Sequence, residues 1–512
     1  MLCTELISRG ERWHRDRLAV LFGDETMTFG EVGAASARFA HAILAHTGLK
    51  PGDRIALLYG NSLQGFPFEF GVMRAGLART PLNPRLSVHE QAAMLIQAKI
   101  GVLVYGEGQA ERARELSAAV WGLKLFGLGD DQCGPDMLSR ARGQPDRPPV
   151  VKAEPDDVVV NLFTSGTTGK LKAVQHTHRS FAAMVRNILA NLIDPEPDEI
   201  MLHAAPLIHA SGTFVLPFWV RGAASAVLPG FDPGAYLAAV EKWRPTALNL
   251  VPTMIAMLLD HPAAAGTDFS SVGTVLYGAS PMPRPVLEKG LALWGPRFVQ
   301  YYGQTEAPLA ICVLDKAAHA GDGAEARWGA CGRPSIDCEI RLIDEAGKDV
   351  AAGEPGEVTL RAPFQMKGYL DAPDLNAETF LPGGWLRTRD IGRWDDEGYL
   401  HLIDRTSDMI VTGGYNVYPR EVEDALSAHP MVRECAVVGL PDDRWGEAVI
   451  AFVAVREPVD EAELIAFARA RLADYKAPKG VRFVDEIPKS PVGKPLRRAL
   501  REPFWEGRAK RI

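Results

Sequence analysis

The chain has 512 residues, of which 47% are hydrophobic and 23% charged, and its formal net charge is −8. That length exceeds one ordinary domain and suffices for several cores, and the composition is that of a soluble globular protein. The acidic balance argues against broad binding to nucleic acid or to anionic membranes.

The N-terminus, Met1 to Arg17, is punctuated by charges and has no apolar signal core. Arg54–Tyr59 reads as a strand, followed by an apolar-periodic helix from Phe66 to Leu77 and a strand over Ile100–Tyr105. Asp157–Phe163 is apolar and β-branched and reads as a buried strand. The longest apolar region, near Leu202–Val220, is broken by His203, His209 and two prolines, so it predicts no membrane span. Strands follow at Ala247–Val251, Val272–Tyr277 and Phe298–Tyr302, with a helix at Met254–Leu259. This alternation predicts α/β layers with mostly parallel sheets, whose ligands bind beyond the strand C-termini. From Cys331 to Leu370 short strands with Gly and Pro turns predict a small β-rich subdomain.

A boundary is expected at Asp404–Asp408, dividing residues 1–404 from 405–512. Beyond it Val422–Leu426, Ala436–Gly439, Ile450–Val455 and Glu461–Leu472 read as helix, strand, strand and helix. The basic tail (Arg497, Arg498, Arg501, Arg508, Lys510, Arg511) reads as a solvated face, a contact with an anionic cofactor being the alternative. The six cysteines show no CxxC pair or metal-type spacing, which predicts reduced thiols and a cytoplasmic protein. The sequence leaves the oligomeric state open, a homodimer included.

After the strand at 157–163, Thr164, Ser165, Gly166, Thr167, Thr168, Gly169, Lys170, Leu171 and Lys172 form a loop rich in N–H groups, hydroxyls and ammonium groups, the partners that phosphate oxygens need. Two residues separate its glycines and Leu171 follows Lys170, so it is not the common nucleotide-binding P-loop. Alone, it could equally be a polar surface turn.

Further motifs follow in fixed order: Pro206–Gly212 around His209, Tyr277–Pro283, Gln300–Glu306, Gly384–Gly392, Asp404-Arg405, Gly413–Glu423 and Pro488–Lys494. With the loop, they make residues 10 to 500 resemble the acyl-adenylate-forming superfamily, which includes acyl-CoA synthetases, peptide-synthetase adenylation domains and luciferases. That resemblance implies a large N-terminal domain of two doubly wound sheets plus a β-rich subdomain, and a small mobile α+β C-terminal domain. It implies a carboxylic acid–CoA ligase using ATP, Mg2+ and coenzyme A, which adenylates the acid and then forms a thioester, releasing pyrophosphate and AMP. Such chemistry needs cationic and N–H donors where charge develops.

By the same resemblance, the Thr164–Lys172 loop, through Thr164 to Lys170 in particular, grips the β- and γ-phosphates and orients pyrophosphate as it leaves. Glu306 is the magnesium ligand, a hard cation favouring carboxylate oxygen; a helix-start carboxylate is the other reading. Thr305 donates to the α-phosphate or the acyl carbonyl. Gly278, Ala279 and Ser280 flank adenine, with Tyr301, Tyr302 and Gly303 beside it and Tyr302 stacked on the base; a core tyrosine is the alternative. Asp390 and Arg405 hold the ribose. Lys494 bridges the acyl carboxylate and the α-phosphate, where an isolated lysine would be merely solvated. His209 borders the acyl pocket with Phe214 and Tyr301, although a lone histidine in an apolar run is commonly a core residue. Gly413, Gly414 and Tyr415 line a tunnel for coenzyme A.

The chain departs from the family pattern at Ser407, Leu171, Ala173 and Arg389, none of them a catalytic group. Ala210 stands where amino-acid-activating members carry an aspartate, which argues against an amino acid, and the apolar, partly aromatic pocket sequence of Phe214, Val215, Phe218, Trp219, Tyr301 and Ala307 suits a fatty or aromatic acid. Tyr301 occupies a position often small in aryl-acid ligases, where it would shorten or redirect the pocket. The alternative function is transfer of the acyl group to a carrier protein or amine. The expected partner is a small carboxylic acid, with no nucleic acid and no integral membrane contact.

Overall fold

In a computed structural model of the chain, the described residues are 1–165, 171–208, 210–405, 408–412, 415–442, 444–489 and 495–506, with Ser165, Ala210, Asp404, Arg405 and Asn416 described by backbone alone. They divide into two compact units, one of residues 1–340 with 360–386 and one of 341–359 with 387–512.

Among the described residues, two mixed sheets organise the first unit. The larger has nine strands, in the order Arg333–Pro334, Ala307–Leu314, Phe298–Gln304, Thr274–Gly278, Ala247–Leu250, Ile200–His203, Ala224–Val227, Leu18–Phe22 and Glu25–Thr28. Its pairs are parallel from Phe298–Gln304 through to Leu18–Phe22 and antiparallel at both edges. The second has seven strands: Gly368–Tyr369, Leu171–Thr177, Val158–Ser165, Ala78–Pro81, Arg54–Leu58, Val102–Gly106 and Lys124–Leu128. Several inner strands are buried along their whole length, as in Val102–Gly106 and Thr274–Gly278. Strands covered on both faces need such continuous apolar runs, which is why they were readable in the sequence.

The helix expected over 66–77 spans Gly65–Arg74. It stops where the chain turns through Gly76 at φ 73°. The N–H of Gly76 bonds the Met73 carbonyl and that of Leu77 the Val72 carbonyl, the pairing of a Schellman cap, which a left-handed glycine permits.

The texture change at 331–370 is real, but its strands divide among three sheets. Arg333–Pro334 completes the nine-stranded sheet and Gly368–Tyr369 the seven-stranded one. Glu339–Ile343 and Gly356–Arg361 join Phe380–Leu381, Trp385–Trp394 and Leu400–Arg405 in a sheet of five. Two-residue strands carry no periodicity, so tertiary contact alone assigns them to a sheet.

In the second unit the helices Pro419–Ser427 and Glu461–Arg469 and the long hairpin of Val432–Asp442 with Gly446–Val455 lie where expected. Gly480–Phe483 adds a parallel strand. The basic tail is only partly a solvated face. Arg497 forms ion pairs with Asp408 at 3.0 Å and Glu423 at 2.6 Å, so its charge is spent within the fold, while Arg508, Lys510 and Arg511 lie outside the described residues. All six cysteines are free. No described helix is long and apolar enough to cross a membrane.

Candidate active site

Strand Phe298–Gln304 turns at Thr305-Glu306 into the antiparallel strand Ala307–Leu314. A bulge between Tyr302 and Gln304 tightens the turn. A Cβ at Gly303 would lie 2.7 Å from the Leu309 amide nitrogen, so glycine alone fits there. The Thr305 carbonyl accepts a hydrogen bond of 2.8 Å from His176 Nε2. His176 stands on Leu171–Thr177 of the other sheet, so one hydrogen bond ties the Thr305 turn to the strand that leaves the Gly/Ser/Thr loop.

Glu306 is held by two groups. Its Oε1 accepts a 2.8 Å hydrogen bond from the Tyr369 hydroxyl, and its carbonyl accepts one of 2.7 Å from the Met366 amide. Tyr369 pairs with Val174 on the same strand, and the Lys172 ammonium lies 5.5 Å from the centre of its ring. Lys172 faces Thr164 across the ladder, and Leu171 faces Ser165. The two legs of the loop, a lysine, Thr305 and the Glu306 carboxylate therefore meet in one region of the first unit. Gly166 to Lys170, between the legs, lie outside the described residues, as does His209.

His176 and Tyr369 carry no chemical signal in the sequence. The first is a histidine within a strand and the second belongs to a two-residue strand; only the pairing of Gly368–Tyr369 with Leu171–Thr177 brings the tyrosine to Glu306. Burial lowers the His176 pKa to about 4 and that of His203 to about 3, from 6.5. Both are neutral when folded and bind protons more readily when unfolded. Their share of stability is complete above pH 6.5 and is lost as pH falls toward 4 for His176 and toward 3 for His203, by up to about 1.4 kcal/mol per pH unit for each. Urea denaturation at stepped pH is expected to show this loss, and His203→Asn to reduce its slope.

Gly278 closes its strand directly opposite Tyr301. A Cβ there would lie 2.5 Å from the Tyr301 carbonyl oxygen, so the position admits no side chain. Ala279 follows at φ 68°, a left-handed conformation that costs a non-glycine residue about 1–2 kcal/mol; Ser280 comes next in the turn. Tyr301 and Tyr302 are both buried and point to opposite faces of the strand. The Tyr301 hydroxyl donates to Asn249 Oδ1 at 3.0 Å, and its ring meets Phe214 edge-on at 5.9 Å. Phe214 is 0% exposed and Tyr301 3%, so the two rings fill the space between the turn Ala210–Phe214 and the sheet. Ser211 is anchored from behind by a 2.8 Å hydrogen bond to His203 Nδ1.

In the second unit Asp390 and Arg405 are direct cross-strand partners. Asp390 is buried, and its amide donates to Thr388 Oγ1 at 3.0 Å. Arg389 just before it has φ 64°, a left-handed conformation to which glycine is best suited. Tyr415 is 60% exposed, its ring 4.8 Å from that of Tyr475. Gly413, Gly414, Ser407 and Lys494 lie outside the described residues.

No cluster of three or more metal-ligating side chains occurs among the described residues. A single carboxylate such as Glu306 nevertheless suits a magnesium ion that keeps its waters and takes its other ligands from phosphates.

The model of the AMP-binding enzyme family matches residues 8–370, and that of the AMP-binding enzyme C-terminal domain matches residues 421–494. The chain is 38% identical to a medium/long-chain-fatty-acid–CoA ligase, FadD8, of Mycobacterium tuberculosis, over 98% of this chain and 89% of that protein. It is also 38% identical to a feruloyl-CoA synthase of Amycolatopsis, over 95% and 96% of the two. The fold superposes with a TM-score of 0.89 on the amide bond synthetase McbA of Marinactinospora thermotolerans, at 32% identity, covering 98% of this chain and 100% of that one.

Proposed function

The chain belongs to the AMP-binding enzyme family, and from that premise we propose that it joins a carboxylic acid to coenzyme A in two steps. The acid's carboxylate oxygen attacks the α-phosphorus of ATP, the bond to the β-phosphate breaks, and pyrophosphate leaves. The coenzyme A sulfur then attacks the acyl carbon, and AMP departs with the electron pair of the acyl–oxygen bond. The gathering of Thr164, Lys172, Thr305 and Glu306 in one region of the first unit carries this reading.

The loop from Thr164 to Lys170 holds the β- and γ-phosphates, and Thr305 donates to the α-phosphate or acyl oxygen. Glu306 would hold magnesium, which supplies positive charge to the phosphate oxygens. Gly278, Ala279 and Ser280 leave room for adenine, and Tyr302 stacks on it. Asp390 and Arg405, opposite one another on their hairpin, take the ribose hydroxyls. Lys494 serves adenylation from a lid of residues 405–512, and the Gly413-Gly414-Tyr415 segment serves the pantetheine arm. The cytoplasm, where ATP and coenzyme A are abundant, is the compartment this chemistry suits.

A panel of carboxylic acids read by pyrophosphate and AMP release, with and without coenzyme A, tests the reading. Adenylate formation that coenzyme A does not discharge would favour transfer to a carrier protein or an amine, the reading that the likeness to an amide bond synthetase keeps in view.

Tyr301 bears on which acid is used. Its hydroxyl and ring bind it to Asn249 and Phe214, so Tyr301→Gly removes a plug from the pocket. The variant is expected to shift the preference by about tenfold toward bulkier ring acids in the same panel; an unchanged order would count against Tyr301 as a limit on the pocket.

A further inference from the structure

The short helix Val215–Arg221 and the turn before it present two faces. One carries Phe214, whose ring packs on that of Tyr301, itself hydrogen-bonded to Asn249. The other, with Gly212, Val215 and Leu216, borders a cavity of about 40 Å³ whose opposite wall is the helix Gly65–Arg74. Leu207 and Ile208, which precede His209, line its side, and Phe181, from the helix that follows the His176 strand, lines another. Phe66, Phe70 and Met73 complete an apolar wall. The volume would hold about three waters, so it accepts the slender end of a molecule and not a second ring system.

One part of the lining is polar. Glu69 and Arg79 form an ion pair there, with side chains 16% and 7% exposed. Arg79 Nε and the Tyr59 hydroxyl, on residues 6% and 5% exposed, have no hydrogen-bond partner among the described residues. Both residues line the same cavity. A buried donor without a partner costs about 1–3 kcal/mol, and an ion pair on an apolar wall adds its own desolvation penalty. Both atoms can donate, so the complementary group is an oxygen acceptor. Glu69 already balances the charge of Arg79, so a second carboxylate would bring uncompensated negative charge into an apolar site.

We propose that this cavity receives the far end of the acid substrate and that Tyr59 and Arg79 recognise a neutral oxygen there, a hydroxyl or an oxo group. The proposal rests on the ligase reading and deepens it. The side of the turn that faces Tyr301 is filled, whereas the side that faces the helix Gly65–Arg74 borders the cavity. A plain hydrocarbon end would leave both donors unpaired, which is how a site built for hydrogen bonding rejects the analogue that lacks the group.

Matched acids test it: hexanoic, octanoic and decanoic acids against their ω-hydroxy counterparts, and cinnamic against para-hydroxycinnamic acid, compared by kcat/KM for pyrophosphate release. The hydroxylated member of at least one pair is expected to be preferred by about tenfold or more. Tyr59→Phe should bring that ratio toward one, chiefly by lowering kcat/KM for the hydroxylated member. Equal use of both members in every pair, or a ratio that Tyr59→Phe does not move, would overturn the proposal and leave the cavity to water. Melting temperatures with the same acids separate the two levels of inference. A Tyr59-dependent rise with hydroxy acids, in the absence of any pyrophosphate release, would overturn the ligase reading and keep the site; neither signal would overturn both.

Discussion

Lys494→Ala is expected to abolish acid-dependent exchange of pyrophosphate into ATP while sparing thioester formation from a preformed acyl-adenylate. In the first step an anionic carboxylate approaches an α-phosphate that is itself anionic, and negative charge builds on the five-coordinate phosphorus. An ammonium held between the two offsets repulsion in the approach and charge in the transition state. Removing one such preorganised donor costs about 10²–10³-fold in rate. The second step attacks an acyl carbon that no longer bears a free carboxylate, so it does not call on that ammonium. Equal loss of both half-reactions would remove Lys494 from its assigned role.

Glu306→Gln is expected to lower adenylation by about 10²-fold and to raise the magnesium concentration needed for half-maximal exchange. The substitution keeps the size of the side chain and an oxygen that the Tyr369 hydroxyl, now 2.8 Å from the carboxylate, can still bond. What it removes is the charge, which a hard divalent cation requires. Magnesium titrations of pyrophosphate exchange, with circular dichroism as a control for folding, read the effect. An unchanged midpoint would mean that Glu306 serves the turn and not the metal. Tyr369→Phe should shift the midpoint in the same direction by less, because it frees Glu306 to rotate without discharging it.

The sheets were legible because inner strands buried on both faces are written largely as apolar runs, as in Ile55–Leu58 and Val275–Tyr277. The loop at 164–172 and the turn at 305–306 were legible because glycine, hydroxyl and carboxylate chemistry is local in sequence. What holds them was not. His176 reaches Thr305 across 129 positions and Tyr369 reaches Glu306 across 63, and neither contact leaves a periodic trace. Phe214 and Val215 fall in one apolar stretch that the sequence assigns to a single acyl pocket; folded into a helical turn, they divide by face, Phe214 toward Tyr301 and Val215 toward the cavity. Nor was the Glu69–Arg79 pair foreseen, since ten positions separate its members and a helix and a strand bring them together.

The Asp390–Arg405 rung has a consequence for how this segment can vary in length. The two residues face each other only because the hairpin Trp385–Trp394 with Leu400–Arg405 keeps its register through one irregularity, between Ile391 and Gly392. Insertions at the hairpin tip, near Asp395–Gly398, leave the rung untouched. A single-codon deletion between Gly392 and Trp394, or between Leu400 and Asp404, reverses the facing of every residue beyond it and carries Asp390 or Arg405 to the wrong side. Tolerated length changes in this hairpin should therefore cluster at its tip, and a library of single-codon deletions across it should lose activity everywhere else.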